Sequence, residues 1–226
     1  DFTSKMLKEC KSLGYKAIVF TVDAPRLGTR ERDERNSFKM PDNLKLGNFI
    51  GTKFEHFDKI EEHDGSSMNL HSDHLFDPSL TFEIIPWIKE QSSLPVLVKG
   101  ILRPDDATQA LNHGADGIII SNHGGRQLDT AVPTLKQIEP IRIAIGNDPL
   151  IIVDGGIRRG TDILKCLALG ANAVQVGRPL LWGLHHDGQK GVELVLDILK
   201  KELIETMTLS GCKNIGEITK DLISPI

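Results

Sequence analysis

Residues 95–123 read P-V-L-V-K-G-I-L-R-P-D-D-A-T-Q-A-L-N-H-G-A-D-G-I-I-I-S-N-H. Residues 95–98 and 117–120 are short apolar runs without alternation, the pattern of strands buried on both faces of a parallel sheet covered by helices. Between them Pro104-Asp105-Asp106 opens a helix, Ala107, Ala110 and Leu111 share one face of it, and Gly114 closes it. The stretch is a strand, a helix and a strand.

The same unit recurs outward in both directions. Further strand-like runs are residues 17–22, 150–153 and 173–176. Thr161-Asp162 opens another helix, with Ile163, Leu164, Leu167 and Ala168 inward and Gly170 at the stop. A last long helix is expected from about Val192 to Met207. The strands end near 23, 99, 121, 154 and 177, and the spacings of 22, 33 and 23 residues from 99 onward are those of strand–helix–strand units. The fold class is α/β, as a (β/α) barrel or an open sheet. The 76-residue interval from 23 to 99 is too long for one crossover. Within it residues 30–78 are polar and read as a long loop on the strand's carboxyl side, where functional loops of a β/α barrel lie. Pro86 falls inside the helical pattern of residues 81–91 and should kink it or mark its first turns.

Composition removes several alternatives. Hydrophobic residues make up 39% and charged residues 26% of the 226, enough for a real core. With 27 basic and 31 acidic residues the net charge is −4, and no basic block points to nucleic acid or an anionic membrane. No apolar run approaches the roughly 18 residues of a membrane span. The amino-terminal residues lack a signal-peptide pattern. Cys10, Cys166 and Cys212 are far apart and odd in number, which suits a reducing compartment better than a disulfide framework.

Each strand finishes in chemically capable residues: Thr21-Val22-Asp23, Lys99-Gly100, Ser121-Asn122-His123, Asp154-Gly155-Gly156 and Gly177-Arg178. Five such ends in succession place the site at the carboxyl edge of the sheet. In S-N-H-G-G-R-Q-L-D (121–129) a histidine that can take a proton near neutral pH precedes, by three residues, an arginine whose planar fork suits a carboxylate. Base and anchor on one turn suit reaction at the carbon next to a carboxylate. Asp154-Gly155-Gly156-Ile157-Arg158, with Gly177-Arg178 one unit later, reads as a phosphate cradle of backbone N–H groups and guanidinium charge. Lys99 ends an apolar strand and points a cation into the mouth of the fold. Arg30 lies in the loop that follows Asp23. His71-Ser72-Asp73-His74 and His185-His186-Asp187 carry ligand-type residues without a helical frame or cysteines, so no metal is expected. No G-x-G-x-x-G follows a strand, which argues against a nicotinamide Rossmann domain.

These stretches, with T-V-D-A-P-R-L-G-T-R (21–30), L-P-V-L-V-K-G (94–100), D-G-G-I-R-R-G-T-D (154–162) and G-R-P (177–179), resemble the FMN-dependent 2-hydroxy acid oxidases and dehydrogenases, such as glycolate oxidase and the lactate dehydrogenase flavocytochromes. The resemblance covers essentially the whole of residues 1–226. It implies a (β/α)8 TIM barrel of which strands four to eight are present and one to three are missing, so that the chain is the carboxyl-terminal part of one barrel domain. It implies FMN as cofactor and a small 2-hydroxy acid as substrate. His123 would be the catalytic base and substrate contact, with Asp23 stabilising its imidazolium. Arg30 and Arg126 would hold the substrate carboxylate. Lys99 would sit by the flavin N1/O2 edge, and Thr21 and Ser121 would contact the flavin. Asp154, Gly155, Gly156, Ile157 and Arg158, with Gly177 and Arg178, would take the ribityl chain and phosphate. Oxygen, giving hydrogen peroxide, or another acceptor would reoxidise the flavin. A homo-oligomer, with a homotetramer as the family form, and a peroxisomal location follow from the same resemblance.

A five-strand portion cannot close a barrel, so residues 1–226 alone are expected to be inactive. The competing expectation is a truncated chain without catalysis, acting only as a binding or assembly partner. Another FMN barrel enzyme sharing only the phosphate half is disfavoured by the full His123–Arg126 turn.

Overall fold

Ile118, Ile119 and Ile120 are each 0% exposed in the middle strand of a five-stranded parallel sheet. Burying one such side chain is worth about 1.5–3 kcal/mol, and β-branching suits them to the pleat. The structure, a computed structural model, describes residues 2–39, 41, 43–52 and 76–224. The strands are β1 (Ile18–Thr21), β2 (Val96–Ile101), β3 (Gly117–Ile120), β4 (Leu150–Val153) and β5 (Ala173–Val174). They pair in chain order, all parallel. A doubly wound sheet reverses its strand order at a switch point; this one does not.

Alternate residues divide the sheet into two faces. Val96, Val98, Ile118, Ile120, Ile151 and Val153 join the main core. The helices that follow or precede the strands close over that face: α1 (Phe2–Ser12), α3 (Ile85–Ser92), α4 (Pro104–Asn112), α5 (Leu135–Ile145) and α6 (Gly160–Ala168). They contribute Leu7, Ile88, Ala107, Ile141 and Cys166 to the same cluster. The other face carries Val19, Leu97, Lys99 and Ile119, and Val19 is 45% exposed. No helix among the described residues is long and apolar enough to cross a membrane.

Several elements differ from their sequence reading, each for a local reason. Lys99 is not the last residue of its strand. β2 continues to Ile101 across a register shift at Gly100, whose φ of +103° only glycine holds easily. The bulge returns Ile101 to the core face. β5 has two residues rather than the four of 173–176. Pro86 does mark a first turn: it is the second residue of α3, after a 3₁₀ turn at Phe82–Ile84. α6 begins at Gly160, because the Asp162 carboxylate accepts from the N–H groups of Arg158 (2.9 Å) and Arg159 (3.0 Å). α5 is the helix of the 33-residue strand–helix–strand interval between 121 and 154, for which the sequence reading sets no bounds. Pro140 lies inside it and removes one helical hydrogen bond, yet Ile138 and Ile141 on either side are fully buried.

The last helical element, α7 (Arg178–Leu209), is two helices joined across a kink, and the second holds the expected helix of residues 192–207. Asp187 and Gly188 break it, with Gly188 at φ 51°, ψ −133°. The two halves touch where a Cβ on Gly183 would lie 2.3 Å from the Gly191 carbonyl. Within residues 30–78 a short helix, α2 (Glu31–Arg35), and a 3₁₀ turn at Gly47–Phe49 are formed. Residues 40, 42 and 53–75, with His71 and His74, lie outside the described residues.

Candidate active site

Parallel strands in one winding direction bring all their carboxyl ends to one edge of the sheet. Thr21 is level with Lys99, and Lys99 with Ile119. Ser121, directly after β3, is 0% exposed and uses its hydroxyl fully. Its Oγ donates to Asp154 Oδ1 (2.7 Å) and accepts from Lys99 Nζ (3.0 Å) and from the His123 N–H (3.0 Å). A hydroxyl has one proton and two lone pairs, so none is left over. Lys99 Nζ also lies 3.4 Å from Asp154 Oδ2. Two of its three N–H groups are thereby directed, and one remains.

His123 is held in an unusual backbone conformation. Its φ is +56°, and Gly124 and Gly125 follow at +67° and +74°. For a non-glycine residue that is a strained region costing of the order of 1–3 kcal/mol. The turn directs the imidazole at Asp23: Nδ1 is 3.1 Å from Oδ1, with the two side chains 28% and 15% exposed. An ionised carboxylate can only accept, so Nδ1 donates to it, and in the neutral imidazole Nε2 then keeps its lone pair. That is the tautomer of a general base. The bulge at Gly100 makes room for Asp23, since a Cβ there would be 2.6 Å from the Asp23 side chain.

The remaining sequence-selected residues divide. Arg30 is partly buried, Arg126 is exposed, and Thr21 is exposed at the end of β1. Asp154, Gly155, Gly156, Ile157 and Arg158 form the turn between β4 and α6. Gly155 and Gly156 have φ of +90° and +84°, and nothing lies within 4 Å of where a Cβ on Gly156 or Gly177 would be. The two guanidinium groups have different partners. Arg158 lies 5.1 Å over the Trp182 ring and donates to Ile157 O, whereas Arg178 donates to Gly124 O.

Three buried side-chain polar atoms among the described residues make no hydrogen bond: Asp23 Oδ2, Arg30 Nε and Asn122 Oδ1. All lie on segments leading from the carboxyl ends of β1 and β3. Buried polar atoms are ordinarily satisfied, so this edge has the character of a ligand site. The open positions at Gly156 and Gly177, a lysine with a remaining N–H and exposed arginines fit a phosphorylated, partly anionic cofactor such as FMN. A cleft of about 250 Å³ adjoins the glycine turn, lined by Asn122, Thr134, Gly155, Lys165 and Cys166 among others. Burial, with a smaller contribution from Asp162, pushes the Cys166 thiol up to about 12. Among the described residues no group of three or more His, Cys, Asp or Glu is gathered as a metal would need.

Sequence reasoning missed Gln127 and Gly28. The Gln127 amide reaches Asp23 O, Arg26 O and the Gly28 N–H, and Gly28 lies directly on the backbone of Arg126. Gln127 sat inside the quoted motif, but a clamp across 99 to 104 residues has no local signature.

The family described as FMN-dependent dehydrogenase matches residues 1–225. The chain is 45% identical over 223 residues to human 2-Hydroxyacid oxidase 1, covering 99% of this chain and 60% of that protein. It is 42% identical to the Peroxisomal (S)-2-hydroxyacid oxidase GLO4 of Arabidopsis thaliana, covering 98% and 59%. A solved structure of Mandelate oxidase with (S)-4-Hydroxymandelic acid superposes with a TM-score of 0.88 at 41% identity, covering 95% of this chain and 59% of that one. The chain therefore spans about 60% of the length of the curated relatives it matches.

Proposed function

The chain belongs to the FMN-dependent dehydrogenase family, and on that premise we propose that it serves the flavin-dependent oxidation of a small 2-hydroxy acid to the 2-oxo acid. The observation that carries the reading is the His123–Asp23 pair at 3.1 Å, on the same sheet edge as the Lys99–Ser121–Asp154 cluster.

FMN, when bound, supplies the two-electron acceptor. Arg30 and Arg126 hold the substrate carboxylate, a guanidinium being able to meet both of its oxygens. His123 takes a proton from the bound hydroxy acid at Nε2, while Asp23 accepts from Nδ1 and stabilises the resulting imidazolium. Lys99 offers its remaining N–H and its charge to the flavin ring. Ser121 contributes by aiming Lys99, since its hydroxyl has no further capacity, and Thr21 lies level with that lysine at the strand end. Asp154, Gly155, Gly156, Ile157, Arg158, Gly177 and Arg178 receive the ribityl chain and phosphate, with open space where Gly156 and Gly177 carry no Cβ.

The five strands are, on this reading, the last five of a (β/α)8 barrel. The chain-order winding and the single helix-covered face support it, as does the match to 59% of a mandelate oxidase chain. The exposed apolar side chains of Leu181, Trp182 and Leu184 favour a homo-oligomer. Peroxisomal placement rests on relatives such as the Arabidopsis protein.

The test is anaerobic mixing of the FMN-loaded full-length protein with glycolate, L-lactate and mandelate. Bleaching of the flavin by at least one is the expected result, with hydrogen peroxide formed on admitting oxygen if oxygen is the acceptor. A flavin that stays oxidised with all three and with longer 2-hydroxy acids overturns the reading.

A further inference from the structure

We infer that Gln127 is a positioning residue for this oxidation, acting through the His123–Asp23 pair; the inference rests on the hydroxy-acid reading above. Its Nε2 donates to the carbonyls of Asp23 (2.9 Å) and Arg26 (2.9 Å), and its Oε1 accepts from the Gly28 N–H (3.1 Å). Two carbonyls on one side and an N–H on the other fix the orientation of the amide. Three hydrogen bonds between the backbone of 23–28 and the 121–129 turn thus run through one side chain.

What this clamp holds is the geometry on which proton transfer depends. The last ladder bond of β1 is from the Val22 N–H to Lys99 O (2.8 Å); beyond it the chain leaves the sheet. Asp23 is the next residue, with Oδ1 on His123 and Oδ2 buried without a partner. Gln127 ties down the carbonyl of that same residue and, by gripping Gly28, the base of the segment that carries Arg30. On the other side it is four residues after His123 and adjacent to Arg126, so base and anchor share its element. The approach is close: a Cβ on Gly28 would lie 2.4 Å from Arg126 O and 2.7 Å from Gln127 Cα. The two loops are in backbone contact, and Gln127 sets their register.

The amide supplies both the donors and the acceptor that these three bonds need. Glutamate keeps the acceptor for Gly28 but turns a carboxylate towards two carbonyls, and leucine removes all three of these hydrogen bonds. Supporting residues of this kind matter because a displacement of about 1 Å at a reacting group can cost roughly a hundredfold in rate.

The test compares Gln127→Leu and Gln127→Glu with the unsubstituted FMN-loaded full-length protein, in wild-type and Asp23→Asn backgrounds. Flavin content, the limiting rate of anaerobic flavin reduction and the substrate Kd are measured, with rates taken per bound flavin. The expected result is a fall of at least tenfold in the limiting rate for both variants, with Kd within about threefold and flavin content retained. In the Asp23→Asn background the further loss should shrink to about twofold, because the clamp then has no charged partner to place. A limiting rate within twofold of the parent in either variant overturns the inference. So does an equal loss in both backgrounds, which is the signature of a general structural role. Absence of reduction in the unsubstituted protein overturns the oxidation reading itself, and the two failures are distinct.

Discussion

Asp23 and His123 stand 100 positions apart in the chain, and the sheet brings Oδ1 of one to 3.1 Å from Nδ1 of the other. Neither residue belongs to a strand. Each follows one within a short turn, Asp23 after β1 and His123 after β3, with β2 between those strands in the sheet. The pair depends on parallel register, on the bulge at Gly100, and on a histidine backbone held at φ +56°.

A positioned histidine base contributes about 10²–10⁴-fold, so His123→Ala should slow flavin reduction by at least that much. FMN should remain bound, since its contacts come from other strand ends. Asp23→Asn should also slow reduction, because a neutral amide no longer stabilises the imidazolium. The double variant should be little worse than His123→Ala, as the two act as a unit. Anaerobic stopped-flow reduction checks all three; a His123→Ala rate within a few-fold of the parent would make His123 a structural histidine.

Arg178→Ala should show the opposite emphasis. A hydrogen bond to a charged group is worth about 1.5–3 kcal/mol, roughly tenfold to a hundredfold in FMN affinity, whereas turnover of the flavin-bound fraction should change little. A fluorescence titration of the apoprotein with FMN measures it. Unchanged FMN affinity counts against Arg178 as a phosphate contact.

The parts of this molecule legible from the sequence are those with local causes. The uninterrupted runs around Ile118–Ile120 and Ile151–Val153 announced buried parallel strands, and Pro104 and Pro86 marked helix starts. What was not legible depends on contacts between distant segments. The extension of β2 past Lys99 is a bulge that accommodates Asp23, α5 tolerates Pro140 because its isoleucines are buried, and Arg158 and Arg178 lie on different neighbours. The motif residues pointed to one edge of the sheet, yet the network that holds them, with Ser121 at its centre and Gln127 across the loops, is a property of the fold.

Gly28 carries a stability prediction of its own. It has no positive φ requirement, but a Cβ would meet backbone at 2.4 Å, and backbone cannot move aside as a flexible side chain can. Gly28→Ala should therefore separate the two loops and lower the flavin reduction rate as well as the thermal midpoint. Overpacking of this kind costs about 1–3 kcal/mol. Gly47→Ala, where nothing lies within 4 Å, is the matched control and should leave both quantities near the parent values. Equal behaviour of the two variants in thermal unfolding would rule out the close approach.

Cys166 supplies a prediction with a definite sign in pH. It is 1% exposed, and burial, with a smaller contribution from Asp162, raises its thiol from 9.0 to about 12. At pH 8 a thiol at its ordinary value is about one-tenth thiolate, whereas one near 12 is ionised about one part in ten thousand; the thiolate is the reactive form. Alkylation of the native protein followed by peptide mass spectrometry should therefore leave Cys166 unmodified under conditions that label the half-buried Cys10. The linkage has the same origin. A group whose folded-state pKa is raised holds its proton more tightly in the folded protein, so its contribution is complete below pH 9 and is lost as pH rises from about 9 to about 12. Alkaline unfolding should be shallower over that window in Cys166→Ala than in the parent, whatever the offset in absolute stability from the lost side chain. Parallel stability curves from pH 9 to 11, or equal labelling of Cys10 and Cys166 in the folded protein, would show that the thiol is not held neutral by burial.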